Sequence, residues 1–341
     1  MTATVITHNG KHLTLHKAVS SPHFNEKTVL VTSTWDYVDL WLKRARKNDA
    51  RFFWNQARSF YEATQNLPKT SAPLTAYYCF LNATKALLLT RGQQFGDQHG
   101  LSGFARAGPS ALSNEIIKFK NGGILPALCQ LLGEQVNQEI YSLKDILYNL
   151  PYIHRAYNLT IPSDPELFIP ILNPRIVKST TTHEAWFTAE LSGRYATGHT
   201  INKLPNGFEH DLGFPNEYVI RCSRRFNWRS QERPASLGRY KTYHHRLRQE
   251  IFYINGSSTR WYLKRGNMNN RLIARNALPL AFAGMHRLSE LSRYSPDALA
   301  RHFDCQHNWL LSEFISAAPN QFIDSISSEI TGHEFAFPER I

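Results

Sequence analysis

Apolar and aromatic positions recur at helical spacing from Ser33 to Asn66: Trp35, Val38, Leu42 and Ala45, then Phe53, Ala57, Phe60, Tyr61 and Thr64. That period predicts one long or two consecutive amphipathic helices. LPKTSAP (67–73) interrupts it. A further helix is predicted over about residues 73–90, with Pro73 in its first turn and Tyr77, Leu81, Lys85 and Leu88 along one side. The two stretches should form an antiparallel hairpin. Gly92, Gly96, Gly100 and Gly103 mark 91–110 as a loop, and short elements follow around the Asn-Gly-Gly turn at 121–123. SLKDILYNLPYIHRAY (142–157) reads as another helix, stopped by Pro151.

Pro162, Pro165, Pro170 and Pro174 exclude a long helix between about 159 and 180, and the domain boundary is placed there. Beyond it THEAWFTAEL, NEYVIRCSRRFNW, KTYHHRLRQEIFYI and STRWYLKR are rich in β-branched and aromatic residues, a pattern that predicts an antiparallel β element. After Asn267 the helical period returns in LIARNALPLAFAGMHRLSELSRY, DALARHFDCQHNWLLSEFISAA and NQFIDSISSEI. The expected fold is α+β, a mostly helical core built from both chain ends with an inserted basic β element. Its segments are an extended lead-in (1–32), a helical region (33–158), the Pro-rich connection (159–180), the basic β-rich region (181–266) and a C-terminal helical region (267–341).

Of the chain's 341 residues 42% are hydrophobic and 12% aromatic, which suits a folded globule. No apolar run is long enough for a membrane helix, and the N-terminus lacks the apolar core of a signal peptide, so a cytoplasmic protein with no membrane partner is expected. Cys79, Cys129, Cys222 and Cys305 are widely scattered and read as reduced thiols. His183, His199 and His210 show no metal spacing, and neither a phosphate-cradling Gly-rich loop nor a Gly-flanked nucleophilic Ser is present. No metal and no cofactor is expected.

Charge changes the picture more. Residues 221–275 hold fourteen Lys or Arg against only Glu232 and Glu250, so this segment's excess of +12 equals that of the whole chain. Twelve of the fourteen are Arg, whose planar fork suits phosphate, and Trp228 and Trp261 are among the aromatics interleaved with them. A nucleic-acid partner, RNA or DNA, is the expectation, with Arg221, Arg224, Arg225, Arg239, Arg246, Arg248, Arg260, Lys264 and Arg265 as phosphate contacts and Trp228 and Trp261 as stacking platforms. The alternative is a non-catalytic subunit that docks an acidic protein on the same face.

Five stretches resemble the YaaC-like family of bacterial proteins: AR-SFYEA (57–63), PLTAYYCFLNATKALLL (73–89) followed by His99-Gly100, IKFKNGGIL (117–125), LKDILYNLP (143–151) and LSRYSP (291–296). None is a catalytic signature, and the resemblance implies fold and a cytoplasmic location. A looser likeness is to HEPN domains, helical bundles that often bind or cleave RNA. It implies an RNA-processing or phage-defence setting and, as a further alternative, a metal-independent ribonuclease using an Arg and a His four to six residues apart. Arg91 and His99 are too far apart for that pattern, whereas Arg194/His199, Arg239/His244, Arg239/His245 and Arg301/His307 match it, about as often as chance allows. The helical context favours Arg301 and His307 as the catalytic candidates. Lys85 and Asn82 stand out as polar residues of an apolar helix, and a contact between Lys85 and Glu62 is the plain expectation.

Overall fold

A computed structural model describes residues 3–25, 28–214, 217–266 and 271–337. The architecture is α+β, and the chain divides into two compact units, Met1–Lys27 with Leu167–Asn270, and Thr28–Glu166 with Arg271–Ile341.

The first unit is built on an antiparallel sheet. Its strand order is Phe208–His210, Val219–Cys222, Glu184–Glu190, Phe168–Ser179, Arg260–Lys264, Ile251–Ile254, and Phe226–Asn227 also pairs with the start of Glu184–Glu190. Residues 159–180, expected as a Pro-rich connection, thus supply the sheet's longest strand, Phe168–Ser179. It accommodates its prolines by changing partners. Residues 168–171 pair with Arg260–Lys264, the ladder shifts register between Leu172 and Arg175 where Asn173 has φ 48°, and residues 177–179 pair with Ala3–Val5. Pro174, which has no N–H to donate, sits in that irregularity.

The N-terminal residues are likewise more than a lead-in. Ala3–Val5 completes the sheet, and Ile6, Leu13 and Leu15 enter the same core as Ile169, Phe187 and Ile220. Strand period two puts Ala185, Phe187 and Ala189 on the core face. What covers that face corrects the sequence reading: much of KTYHHRLRQEIFYI, expected as β structure, lies in the helix Arg233–Leu247, with Pro234 in its first turn. Ser236, Tyr240, Tyr243 and Leu247 recur at helical spacing on its buried side, and the backbone N–H of Phe187 donates to the Tyr243 hydroxyl over 2.9 Å. Tertiary burial of that stripe outweighs the β propensity of its aromatics.

In the second unit the expected helical stretch 33–66 is two helices, Thr34–Arg44 and Asn48–Gln65, the latter packing against Ala72–Arg91. This central helix is buried on most sides because Ala277–Tyr294 and Asn308–Thr331 also pack on it; Phe80 stacks on Phe322 with ring centroids 4.0 Å apart. Gly92 ends it in the left-handed conformation (φ 67°) that glycine adopts without strain. The loop expected at 91–110 contains a strand, Leu101–Ala105, which pairs antiparallel with Glu115–Phe119, itself paired with Ile140–Ser142. This small sheet lies against Ala277–Tyr294. At the C-terminal end DALARHFDCQHNWLLSEFISAA divides between two helices, Pro296–Phe303 and Asn308–Thr331, and the second runs on through NQFIDSISSEI with Pro319 inside it. No described helix is long and apolar enough to cross a membrane.

Candidate functional site

The basic segment does not present its charges together. Within the first unit, Arg221 pairs with Glu209 (2.8 Å), and Arg225 pairs with Glu184 (2.5 Å) while its guanidinium lies over the Trp186 ring. Arg229 and Arg239 share Glu232, and Arg239 also donates to the Asn227 carbonyl. Carboxylates from outside 221–275 therefore neutralise part of the excess. Arg248 is only 3% exposed; it donates to the Ile251 carbonyl and lies over the rings of Tyr253 and Trp261. Lys264 is buried over Phe252, and Arg265 is half-buried. Arg271 and Arg275 belong to the second unit, where Arg275 is buried between Glu134 and Glu139.

The proposed stacking platforms change too. Trp228 is 4% exposed and part of the core, so no base can reach its face. Trp261 is half-buried against Arg248 and Tyr253.

Arg224, Arg233, Lys241, Arg246 and Arg260 remain exposed, without a carboxylate partner among the described residues. Two of them share a cleft of about 280 Å³, lined by Arg224, Arg246, Asn206, Gln249, Glu250 and Tyr243 among others. Burial raises the Glu250 carboxyl above its ordinary range, against the pull of Lys264 and Arg224.

His244 is fully buried and held far below the ordinary histidine value, by burial first and then by Arg248 and His16. Its Nε2 accepts from the His16 backbone N–H (3.0 Å), and so it is a neutral core group rather than a partner for Arg239.

In the second unit, Arg301 is exposed on the helix Pro296–Phe303 and paired with Asp297 one turn away (2.7 Å). His307 instead hydrogen-bonds His302 (Nε2 to Nδ1, 2.9 Å), and the two candidates share no hydrogen bond among the described residues. His307 is one end of a network that sequence reasoning missed. His302 Nε2 meets Glu115 Oε1 at 2.9 Å, Arg287 donates to Glu115 Oε2 through Nε and Nη2 (2.9 and 2.7 Å), and Arg287 Nη1 donates to Glu290 Oε2 (2.9 Å). Burial alone would raise the Glu115 carboxyl, but hydrogen bonds from His302 and Arg287 hold it below the usual range. With Glu115 ionised, His302 donates from Nε2, and its Nδ1 accepts the His307 Nε2 proton. The hydrogen bonds therefore run without a break from His307 through His302, Glu115 and Arg287 to Glu290. Its members come from distant strands and helices, and an isolated Glu in EIIKF gives no signal of the contact.

Lys85 does not reach Glu62, which is paired with Arg58; its ammonium lies over the Phe53 ring at 5.0 Å. Asn82 donates to the Tyr78 carbonyl one turn back. His99, on the glycine-bounded turn after the central helix, hydrogen-bonds Tyr77 through Nδ1. No cluster of three or more metal-ligating side chains occurs among the described residues.

A family model described as YaaC-like Protein matches residues 16–330. No curated protein and no solved structure matches the chain.

Proposed function

We propose that this chain, which belongs to the YaaC-like family, is a nucleic-acid-binding protein of the bacterial cytoplasm that grips phosphates at the cleft between Arg224 and Arg246. The observation that carries this reading is the pair itself: two exposed guanidinium groups with no carboxylate partner among the described residues, facing one cleft that is also lined by Gln249. Arginine forks bind phosphate oxygens in pairs, and amide side chains add hydrogen bonds without sequence preference. Arg233, Lys241 and Arg260 are further exposed cations of the same unit and extend the contact. Arg221, Arg225, Arg248 and Lys264 are structural in this reading, because each is already matched or buried within the unit.

The test is the salt dependence of binding to single-stranded and duplex oligonucleotides. Each phosphate released from the contact removes about 0.7 (single strand) or 0.9 (B-DNA) from the slope of log K against log salt. Arg224→Gln with Arg246→Gln should weaken binding to every sequence alike and flatten the slope by up to about 1.4 or 1.8 respectively. Equal affinity of variant and parent at matched salt would remove the reading and leave docking of an acidic protein as the function of the basic face.

A further inference from the structure

The stretches that mark the family converge on a second place, remote in role from the basic segment. Tyr77 and Tyr78 come from the central helix, His99 from the turn that follows it, Lys120 from the end of the strand Glu115–Phe119, and His286, Glu290 and Arg293 from one face of the helix Ala277–Tyr294, spaced at i, i+4 and i+7. Their approach is fixed by backbone that admits no side chain. A Cβ on Gly103 would lie 2.1 Å from Glu290 Oε2, and one on Gly123 (φ 116°) would lie 2.5 Å from the Gln98 carbonyl. The Lys120 N–H donates to the Gly100 carbonyl over 3.0 Å, which seats Lys120 beside His99.

Tyr77 and His99 stack with ring centroids 5.5 Å apart, and His286 meets both edge-on at 4.9 and 5.8 Å. Burial keeps the Tyr77 phenol protonated, and since His99 Nδ1 is the one acceptor for that buried proton among the described residues, the arrangement that leaves no proton orphaned has the hydroxyl donating to Nδ1. The ring proton of His99 therefore sits on Nε2, which has no intramolecular partner among the described residues, and the ring is half-exposed. His286 is 7% exposed, and its Nδ1 has no hydrogen-bond partner among the described residues, with Glu290 Oε2 standing off at 3.8 Å. A buried polar atom without a partner is costly, and a site that receives a ligand is one reason to retain it.

Cations outnumber carboxylates around these rings. Burial first, then Lys85, Arg293 and Lys120, hold the His99 imidazole in its neutral form, with Glu290 opposing. Glu290 is already occupied by Arg287 and the Gly103 N–H. Lys85, Lys120 and Arg293 have no carboxylate partner among the described residues; Arg293 donates to the hydroxyls of Tyr78 (2.7 Å) and Tyr294 (3.3 Å).

We propose that Tyr77, His99, His286, Lys120 and Arg293 form a binding site for the phosphoryl group of a small molecule, with His99 Nε2–H as the central donor. Two exposed cations without a carboxylate partner and a neutral N–H donor suit a dianion better than a single carboxylate, because a phosphate monoester near neutral pH carries close to two charges and three strong acceptor oxygens. No covalent step is implied.

The experiment titrates the full-length protein, labelled at its histidine side chains, with inorganic phosphate and separately with ribose 5-phosphate, and follows the His99 imidazole signals assigned by their loss in His99→Gln. Saturable shifts at millimolar ligand or below are expected. Lys120→Gln with Arg293→Gln, both exposed, should leave the melting temperature unchanged and weaken the binding by about 10-fold or more, as loss of charge-assisted hydrogen bonds requires. Tighter binding of ribose 5-phosphate supports an ester as the source of the phosphoryl group, and equal binding supports free phosphate. An absence of saturable shifts, or an affinity unchanged in the double variant, overturns the proposal. Either result is independent of the Arg224–Arg246 test, since the two sites share no residue.

Discussion

Replacing Arg248 by Gln is expected to destabilise the chain by about 2–3 kcal/mol, the cost of losing charged hydrogen bonds in a buried setting. Its guanidinium donates to the Ile251 carbonyl, and its plane covers Trp261 at 5.0 Å and Tyr253 at 5.5 Å. Arg224→Gln, by contrast, changes an exposed side chain without an ion pair and should stay within about 0.5 kcal/mol of the parent. Equilibrium urea denaturation of both variants measures the difference, and equal stabilities would show that Arg248 carries no structural load. Gly103→Ala makes a separate expectation. The added methyl would collide with Glu290 Oε2 and with Arg287 Cδ at 2.6 Å, both held in the network through Glu115. Overpacking of this kind costs about 1–3 kcal/mol, and the same denaturation experiment reads it. A neutral outcome would mean that Arg287 and Glu290 can move apart freely.

At the scale of elements, what could be read from the chain was what local period encodes. The Ala72–Arg91 helix and the helices of the C-terminal end follow from spacing and from Pro and Gly at their ends. The Arg233–Leu247 helix carried the same information in Ser236, Tyr240, Tyr243 and Leu247, but its aromatics and paired histidines imitate a strand. Prolines misled in the opposite direction, since Pro170 and Pro174 lie within a strand that changes neighbours at its bulge. The site was less legible still. Counting charge located the basic segment, yet Glu184, Glu209 and Asp211, which pair with its Arg225 and Arg221, lie outside 221–275 and meet them through sheet pairing. These placements set a proteolysis expectation. First cuts should fall in the exposed turn 93–98 and around 162–166, which lack regular hydrogen bonding, and not within Phe168–Ser179 or Leu101–Ala105. Mass mapping of early fragments decides it; early cleavage inside Phe168–Ser179 would contradict the strand.

Across the whole molecule, buried histidines give stability a definite pH dependence. Burial pushes His286 down to about 3 and His307 down to about 4, aided by His99 and His302 respectively, and it drives His244 well below its ordinary value. In the unfolded chain these groups return to about 6.5. Below that value the unfolded state takes up protons that the folded state refuses, so stability must fall as pH drops from about 6.5 towards 4. Glu115 and Asp164, whose carboxyls are held below their usual range, add a further loss at the acid end as they protonate. Glu134 and Glu250 act in the opposite sense, because burial raises them and the folded state binds their protons first. Four histidines, His99 among them, against two carboxylates, with the histidine window opening at higher pH, leave a net decline that begins near pH 6.5. Melting temperatures measured at steps between pH 7.5 and about 4.5 should therefore fall steadily on acidification. His307→Gln should make that decline shallower by a fraction of the ~1.4 kcal/mol per pH unit that one proton carries, a fraction because His307 is only half-buried and water screens it. The comparison is of slopes, since the variant also loses the hydrogen bond to His302 and starts from a lower stability. A melting temperature that stays flat across this range, or an identical slope in the variant, would show that His307 protonates as readily in the folded chain as outside it.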